Sequence, residues 1–203
     1  MKGKILFLAT RPGFFTASTV SVLLGLAAAW RQAGELDWLA AAGVLLASLL
    51  MHAGADMIND YHDHVNGADE ANHEYISPFT GGSRMIQCGL LSPAEVRRTA
   101  LVLLGAGAAV LALLALREGP GLWLLAAIGV ASSLAYTGRP LYLASRGLGE
   151  LVVGLNFGPV LVAAGYYVQA HALPAGVLLA SLPKGLLVTA ILYVNEMPDY
   201  AGD

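Results

Sequence analysis

The chain has 203 residues, 57% of them hydrophobic and 12% charged, with a formal net charge of −3 and a mean hydropathy of +0.65. Soluble domains carry roughly 25% charged residues, so a soluble globular domain is excluded and a membrane protein is expected, with no nucleic-acid partner. The single cysteine, Cys88, has no internal partner for a disulfide, so nothing points to an oxidising compartment.

In chain order, the N-terminal MKGKILFLATRPGFF has a basic start but leads into a full-length apolar run without a small-residue cleavage site. It reads as a retained first span and not as a removed signal. Six apolar runs follow one another: Phe14–Trp30, Leu36–Ile58, Thr99–Leu116, Leu122–Tyr136, Leu151–Val168 and Ala172–Val194. Each is close to the ~20 residues that a helix needs to cross ~30 Å of hydrocarbon, the fourth being the shortest. The runs are Leu/Ala-rich and do not alternate, and backbone groups in lipid must be paired internally, so helices are expected and strands are not. The fold class is therefore all-α, a polytopic transmembrane helical bundle.

Lys and Arg set the expected orientation. With a cytoplasmic N-terminus, that face holds Lys2, Lys4, Arg11, Arg84, Arg97, Arg98, Arg139 and Arg146, against Arg31 and Arg117 on the other; Lys184 falls inside a span. The loops at 59–98 and 137–150 and the C-terminal segment then share the cytoplasmic face.

Two acidic stretches stand on that face. MINDYHDHVNGADE (57–70) and NEMPDYAGD (195–203) each follow an apolar run, and both contain Asn-acid-x-x-Asp: Asn59, Asp60, Asp63 and Asn195, Glu196, Asp199. Asp199 and Asp203 would share a helix face, as would Asp56, Asp60 and Asp63. Several carboxylates at a membrane surface repel one another and are costly to bury, so a positive partner is expected among them. One Asp-rich loop is as readily a solvated loop; two matched patches, each with an Asn, favour a site. Oxygen ligands suit a hard cation, Mg²⁺ or Ca²⁺, better than zinc. Mg²⁺ leaves coordination for phosphate oxygens, which suggests a diphosphate held through metal. Arg84, Arg139 and Arg146 could take further phosphate oxygens bidentately, or serve as positive-inside anchors.

These stretches, with TGGSRMIQCGLLSP (80–93), YTGRPLYLASRGLGE (136–150) and NFGPVLVAAGYYVQ (156–169), resemble the UbiA superfamily of intramembrane aromatic prenyltransferases. The similarity covers nearly the whole chain. Gly67-x-Asp69 and the RGLGE stretch favour the branch that includes the 1,4-dihydroxy-2-naphthoate enzymes of menaquinone synthesis. The resemblance implies Mg²⁺-dependent transfer of a polyprenyl group from a polyprenyl diphosphate to an aromatic acceptor, in one membrane-embedded domain spanning 1–203. It implies catalytic roles for Asp60, Asp63, Asp199 and Asp203. Metal would be held by Asn59, Asp60, Asp63, Asp69, Asp199 and Asp203, and substrate by Asn59, Arg84, Tyr136, Arg139, Arg146 and Asn195. Glu196 stands where many relatives carry Asp, and Asp56 where they often have Asn, as an extra ligand or a structural group. One of His52, His62, His64 and His73 could act as a base, or all could be solvated or packed. Tyr136 could contact substrate or belong to the interfacial belt. Pro183 suggests a local break that turns Lys184 toward the cavity. The family fold has nine helices, so about six spans are expected here and the sequence reads as lacking the C-terminal part. A cation transporter would carry its acids near the bilayer midplane, and a non-catalytic scaffold is the other alternative.

Overall fold

The computed structural model describes residues 2–71, 75–76, 80–137 and 140–199, and of residues 70, 71, 137, 145, 198 and 199 the backbone alone. A short helix α1 (Lys2–Ala9) is followed by a reversal at Arg11, whose φ of 52° is left-handed, and a 3₁₀ turn at Pro12–Phe14. The long elements are α2 (Phe15–Ala33) and α3 (Trp38–Asn66), with a four-residue helix α4 (Ala68–Ala71) after it. Then come α5 (Pro93–Glu118) and α6 (Pro120–Thr137). A broken pass follows, α7 (Gly149–Leu155), a π turn (Asn156–Val160) and α8 (Leu161–Ala170), and the last helix is α9 (Ala175–Asp199). Five of these passes are long and apolar enough to cross a membrane, and Pro120–Tyr136 is a shorter sixth.

Caps set the boundaries that hydropathy left open. Asp37 starts α3 by accepting from the backbone N–H of Leu39 and Ala40. Ser92 and Glu95 form a reciprocal capping box at the head of α5, with Pro93 in its first turn, a place where the missing N–H has no intrahelical partner to lose. Gly67, at φ 82°, ends α3. The expected loop beginning at Asn59 is thus corrected: α3 runs two turns past the apolar stretch, and the first acidic motif is helical. Its residues are polar but none breaks a helix before that glycine. The second motif is likewise helical through Asp199. The local break expected at Pro183 is not seen: α9 is one helix from 175 to 199. A proline removes one ladder bond, and a span with packed neighbours tolerates the loss.

The two tightest pairings are α3 along α5 and α2 along α8. The latter depends on two glycines. A Cβ on Gly25 would lie 2.7 Å from the backbone nitrogen of Tyr166, and one on Gly165 would lie 3.3 Å from the carbonyl carbon of Val22. Small residues let membrane helices approach until their backbones touch. One core cluster, with Val22, Leu26, Val44, Leu122 and Tyr167, fills one end of the bundle. A second, with Ala9, Met57, Leu91, Val96 and Ala100, seats α1 against α3 and α5. Large apolar side chains such as Leu113, Leu116, Leu179 and Leu186 cover the outside, the surface that hydrocarbon covers in a bilayer.

Candidate active site

Alternating helix directions bring the C-terminal ends of α3, α6 and α9 together with the start of α2 and of α7. They enclose a cavity of about 1190 Å³. Asn59, Asp63 and Asp69 from the first acidic stretch and Asn195 and Glu196 from the second all line it. Both Asn-acid-x-x-Asp motifs therefore open on the same space. Deeper walls are largely apolar, with Val44, Leu122, Leu125, Val160 and Leu161.

Within the first motif, Asn59 donates its amide Nδ2–H to Asp63 Oδ2 at 2.6 Å, one turn along the same helix. Asp60 is buried, 4% exposed, and its Oδ2 accepts the backbone N–H of Ser83 at 3.1 Å. The loop can come so close because of Gly82, which has φ +70°, and where a Cβ would stand 2.7 Å from Asp60 Oδ1. Two oxygens here, Asn59 Oδ1 and Asp60 Oδ1, are buried without a hydrogen-bond partner. A buried orphan oxygen is costly unless something else meets it, and an all-oxygen donor set suits a hard divalent cation. Among the described residues, no three His, Cys, Asp or Glu side chains are gathered as a closed metal cage. These residues fit an ion that takes a few protein oxygens and completes its shell with phosphate and water, as Mg²⁺ does.

A cation beside the acidic patch is Arg11. Its left-handed turn places it in the cavity lining, its Cζ stands 4.6 Å over the Phe14 ring, and its charge acts on both Asp56 and Asp60. Sequence reading had counted Arg11 only toward orientation. A Thr-Arg-Pro-Gly junction is the signal that could have found it, since it breaks the helix just where a basic residue sits.

The other expected residues fall into three groups. Tyr136, Asn195 and Glu196 line the cavity, joined by Tyr142, which sequence reading passed over. Asp69 also lines it but accepts from Gln87 Nε2 at 2.8 Å, and Arg84 Nη1 donates to its carbonyl and lies 3.7 Å from its Oδ1. Arg84, stacked 4.0 Å over Tyr75, thus braces the 80–92 loop and is not among the lining residues. Arg146 is exposed and donates to the Pro140 carbonyl at 3.3 Å. The side chain of Asp199, together with Arg139, Asp203 and His73, lies outside the described residues. Of the remaining histidines, His52 lines the cavity, whereas His62 stacks edge-on with Tyr61 at 5.5 Å. Lys184 lines the cavity from the unbroken α9.

A helical membrane bundle whose cavity opens between two acidic, asparagine-bearing helix ends defines the class: an integral membrane protein with a polar, acid-lined cavity mouth at one end. The chain belongs to the UbiA prenyltransferase family, whose profile matches residues 18–203. Among its relatives, the 1,4-dihydroxy-2-naphthoate octaprenyltransferase of Escherichia coli (strain K12) is 29% identical over 95% of this chain and 62% of its own length. The protein of the same name from Bacillus subtilis (strain 168) is 30% identical over 99% of this chain and 62% of its own. The UbiA prenyltransferase domain-containing protein 1 of Xenopus tropicalis is 33% identical over 97% and 55%. The chain thus spans 55–62% of the length of these relatives.

Proposed function

We propose that residues 1–203 form one membrane-embedded domain that transfers a polyprenyl group from its diphosphate to an aromatic acceptor, with Mg²⁺ as the metal. The observation that carries this reading is the single cavity lined by both acidic motifs at its mouth and by hydrocarbon at its depth. That polarity matches a substrate with a charged head and an apolar tail. Asn59, Asp60 and Asp63 from α3, and Asn195, Asp199 and Asp203 from the last helix and its continuation, would hold the metal. A divalent ion there neutralises charge that develops on the departing diphosphate. Arg11 is placed to meet phosphate oxygens directly, and Tyr136 and Tyr142 flank the same mouth. The apolar walls exclude water, so an allylic cation formed there meets a ring carbon before it meets solvent. With Lys and Arg gathered at that end, the mouth faces the cytoplasm.

For the acceptor, the two naphthoate octaprenyltransferases favour 1,4-dihydroxy-2-naphthoate and a place in menaquinone synthesis, while the domain-containing relatives are equally similar and name no acceptor. The acids of the two paired motifs stand toward helix ends and not at mid-helix, which disfavours a cation transporter; a scaffold would have no use for the orphan oxygens. The test is to incubate membranes carrying the protein with labelled prenyl diphosphates and a panel of aromatic acceptors, with and without Mg²⁺. Metal-dependent labelled product on a naphthoate supports the full reading, and product on another ring moves the acceptor only. Absence of both product and metal-dependent diphosphate binding overturns it.

A further inference from the structure

Deeper in the cavity than either acidic motif, a polar chain crosses from α2 to α3 that diphosphate binding does not use. Ser18, His52 and Asp56 all line the cavity. Ser18 Oγ lies 2.6 Å from His52 Nδ1, and His52 Nε2 lies 3.6 Å from Asp56 Oδ2. The imidazole is wedged between two rings, with the Phe15 centroid at 5.6 Å and that of Phe157 edge-on at 5.0 Å. Its nitrogens are therefore aimed at Ser18 and Asp56. Phe157 is itself held by the π turn, because Ser21 on α2 donates its hydroxyl to the Phe157 carbonyl. Asp56 Oδ2 is buried without a hydrogen-bond partner, while the Asp56 side chain keeps 18% exposure toward the cavity. Arg11 is the other charge that acts on it.

Such a trio is costly inside a membrane domain, where polar groups are kept for function more often than for stability. Its depth also matters. Asp56 sits one turn below Asp60 on α3, about 6 Å along the axis, which is where a ring would lie if its reacting carbon faced a diphosphate held at Asp60 and Asp63. A carboxylate that keeps part of its surface open to the cavity, with its buried oxygen turned toward an aimed imidazole, is the arrangement that takes a proton from a hydroxyl.

We propose that Asp56 and His52, steadied by Ser18, form a proton relay for an ionisable hydroxyl of the aromatic acceptor; this rests on the prenyl-transfer reading above. The hydroxyl proton passes to the Asp56 carboxylate and across to His52 Nε2, leaving the O–H electron pair on oxygen as a phenolate. The allylic C–O bond breaks with its electron pair leaving on the diphosphate, and the activated ring carbon then forms a bond to the allylic cation. The ring carbon then sheds its proton to the released diphosphate, or a carboxylate as CO₂, and the resulting phenolate takes the proton back from the relay. Asp56 is the group that touches the acceptor. His52 and Ser18 act through it and are positioning residues.

The test compares the protein with Asp56→Asn, His52→Gln and Ser18→Ala in membranes, using Mg²⁺-dependent binding of labelled farnesyl diphosphate as the check on folding and on the diphosphate site. On a hydroxyl-bearing acceptor, Asp56→Asn and His52→Gln should bind the diphosphate normally and keep KM within about threefold. Their kcat should fall about 10²-fold, the lower end of the range for general base catalysis. Ser18→Ala, which disturbs only the aim of the imidazole, should fall less and remains informative if His52→Gln does not fold. The deficit should shrink on fluorinated acceptors, whose hydroxyl is already acidic. It should vanish on a methoxy analogue that has no proton to give. Unchanged kcat in all three variants, or an equal loss on the methoxy and hydroxyl acceptors, overturns the relay. If the unsubstituted protein forms no product with any acceptor, the prenyl-transfer reading falls and the relay with it; product from a protein indifferent to these substitutions removes the relay alone.

Discussion

The two ends of the bundle handle polar groups in opposite ways. Asp37 and Asn59 both belong to the region of α3 and are separated by about 33 Å along its axis, the thickness of a bilayer core. At the Asp37 end the polar groups are matched except Glu118 Oε1, which is buried without a hydrogen bond and has only the Arg117 charge beside it. Asp37 caps α3 and pairs with Arg117, and Gln169 bridges its backbone, accepting from the Asp37 N–H at 2.7 Å and donating to its carbonyl at 3.0 Å. Tyr166 donates to Gln32, Tyr167 accepts the Gly121 N–H at 3.0 Å, and Glu118 faces both Arg117 Nε at 3.2 Å and His171 Nε2 at 3.6 Å. At the Asn59 end, Asn59, Asp56 and Asp60 each keep a buried oxygen that nothing meets. One end closes the bundle; the other is built to receive something.

The strongest test of that opposition is topological, because its outcome is all or none. The native Cys88, exposed near the acidic end, and a cysteine at Val65 in a Cys88→Ser background should be labelled by an impermeant thiol reagent from the same side of the membrane. Glu35→Cys in that background should be labelled only from the other side. Labelling of positions 65 and 88 from opposite sides would break the comparison outright.

Next in size is the loss of charge at the proposed metal ligands. Asp63→Asn or Asp199→Asn changes volume little, and each should lower Mg²⁺-dependent turnover by about 10²–10³-fold, the scale for removing one group that stabilises transition-state charge. Thermal stability in detergent should not fall, since a repelling carboxylate is gone. Near-normal turnover in either variant would remove that residue from the metal site.

A smaller effect is expected where the loop at 80–92 meets α3. Gly82→Ala combines a left-handed backbone with a Cβ 2.7 Å from Asp60 Oδ1, whereas Gly89, at φ +68°, has nothing within 4 Å of its would-be Cβ. Each alanine should cost about 1–2 kcal/mol for its conformation. Only Gly82→Ala should also reduce turnover, because it pushes the Ser83 N–H off Asp60. Equal behaviour of the two, measured by melting and by activity, would show that the contact has no role.

How legible this was in the sequence depended on the kind of signal. Apolar runs located the six passes because hydropathy over ~20 residues is set by lipid itself. Paired Asn-acid-x-x-Asp stretches located the mouth because the same chemistry is written twice. The ends of helices were misjudged where polarity rose without a breaker: α3 continues through Asn59–Asn66 to Gly67. Contacts that depend on backbone geometry or on distant pairs were invisible. Arg11 enters the cavity through a left-handed φ, and Asp69 meets Arg84 and Gln87 only after the chain folds back. Ser18 and His52 are 34 residues apart and meet because α2 and α3 are antiparallel neighbours.

The matched end should respond to substitution with stability alone. Asp37 illustrates the pH side: the backbone N–H of Ala40, then Arg117 and the Leu39 N–H, hold its carboxyl below the usual range against some desolvation. A carboxyl depressed in the folded state adds stability that is complete above its ordinary value of 3.8 and is lost as pH falls through the lower, folded one. Acid should therefore weaken this cap as pH falls below that value, seen as increased protease access near residue 35. At neutral pH the cleanest probe is Tyr167→Phe. Tyr167 is buried, and its hydroxyl accepts the Gly121 N–H, which belongs to the first turn of α6 and has no intrahelical partner there. Removing the oxygen leaves that N–H unmet and should cost about 1 kcal/mol or a little more. The ring stays, so the core contacts with Val22 and Leu122 are kept. Turnover and diphosphate binding should be unchanged, because the cavity mouth is a bilayer thickness away. A loss of turnover without a loss of stability would mean that the two ends are coupled, and that closure at one end sets the geometry of the other.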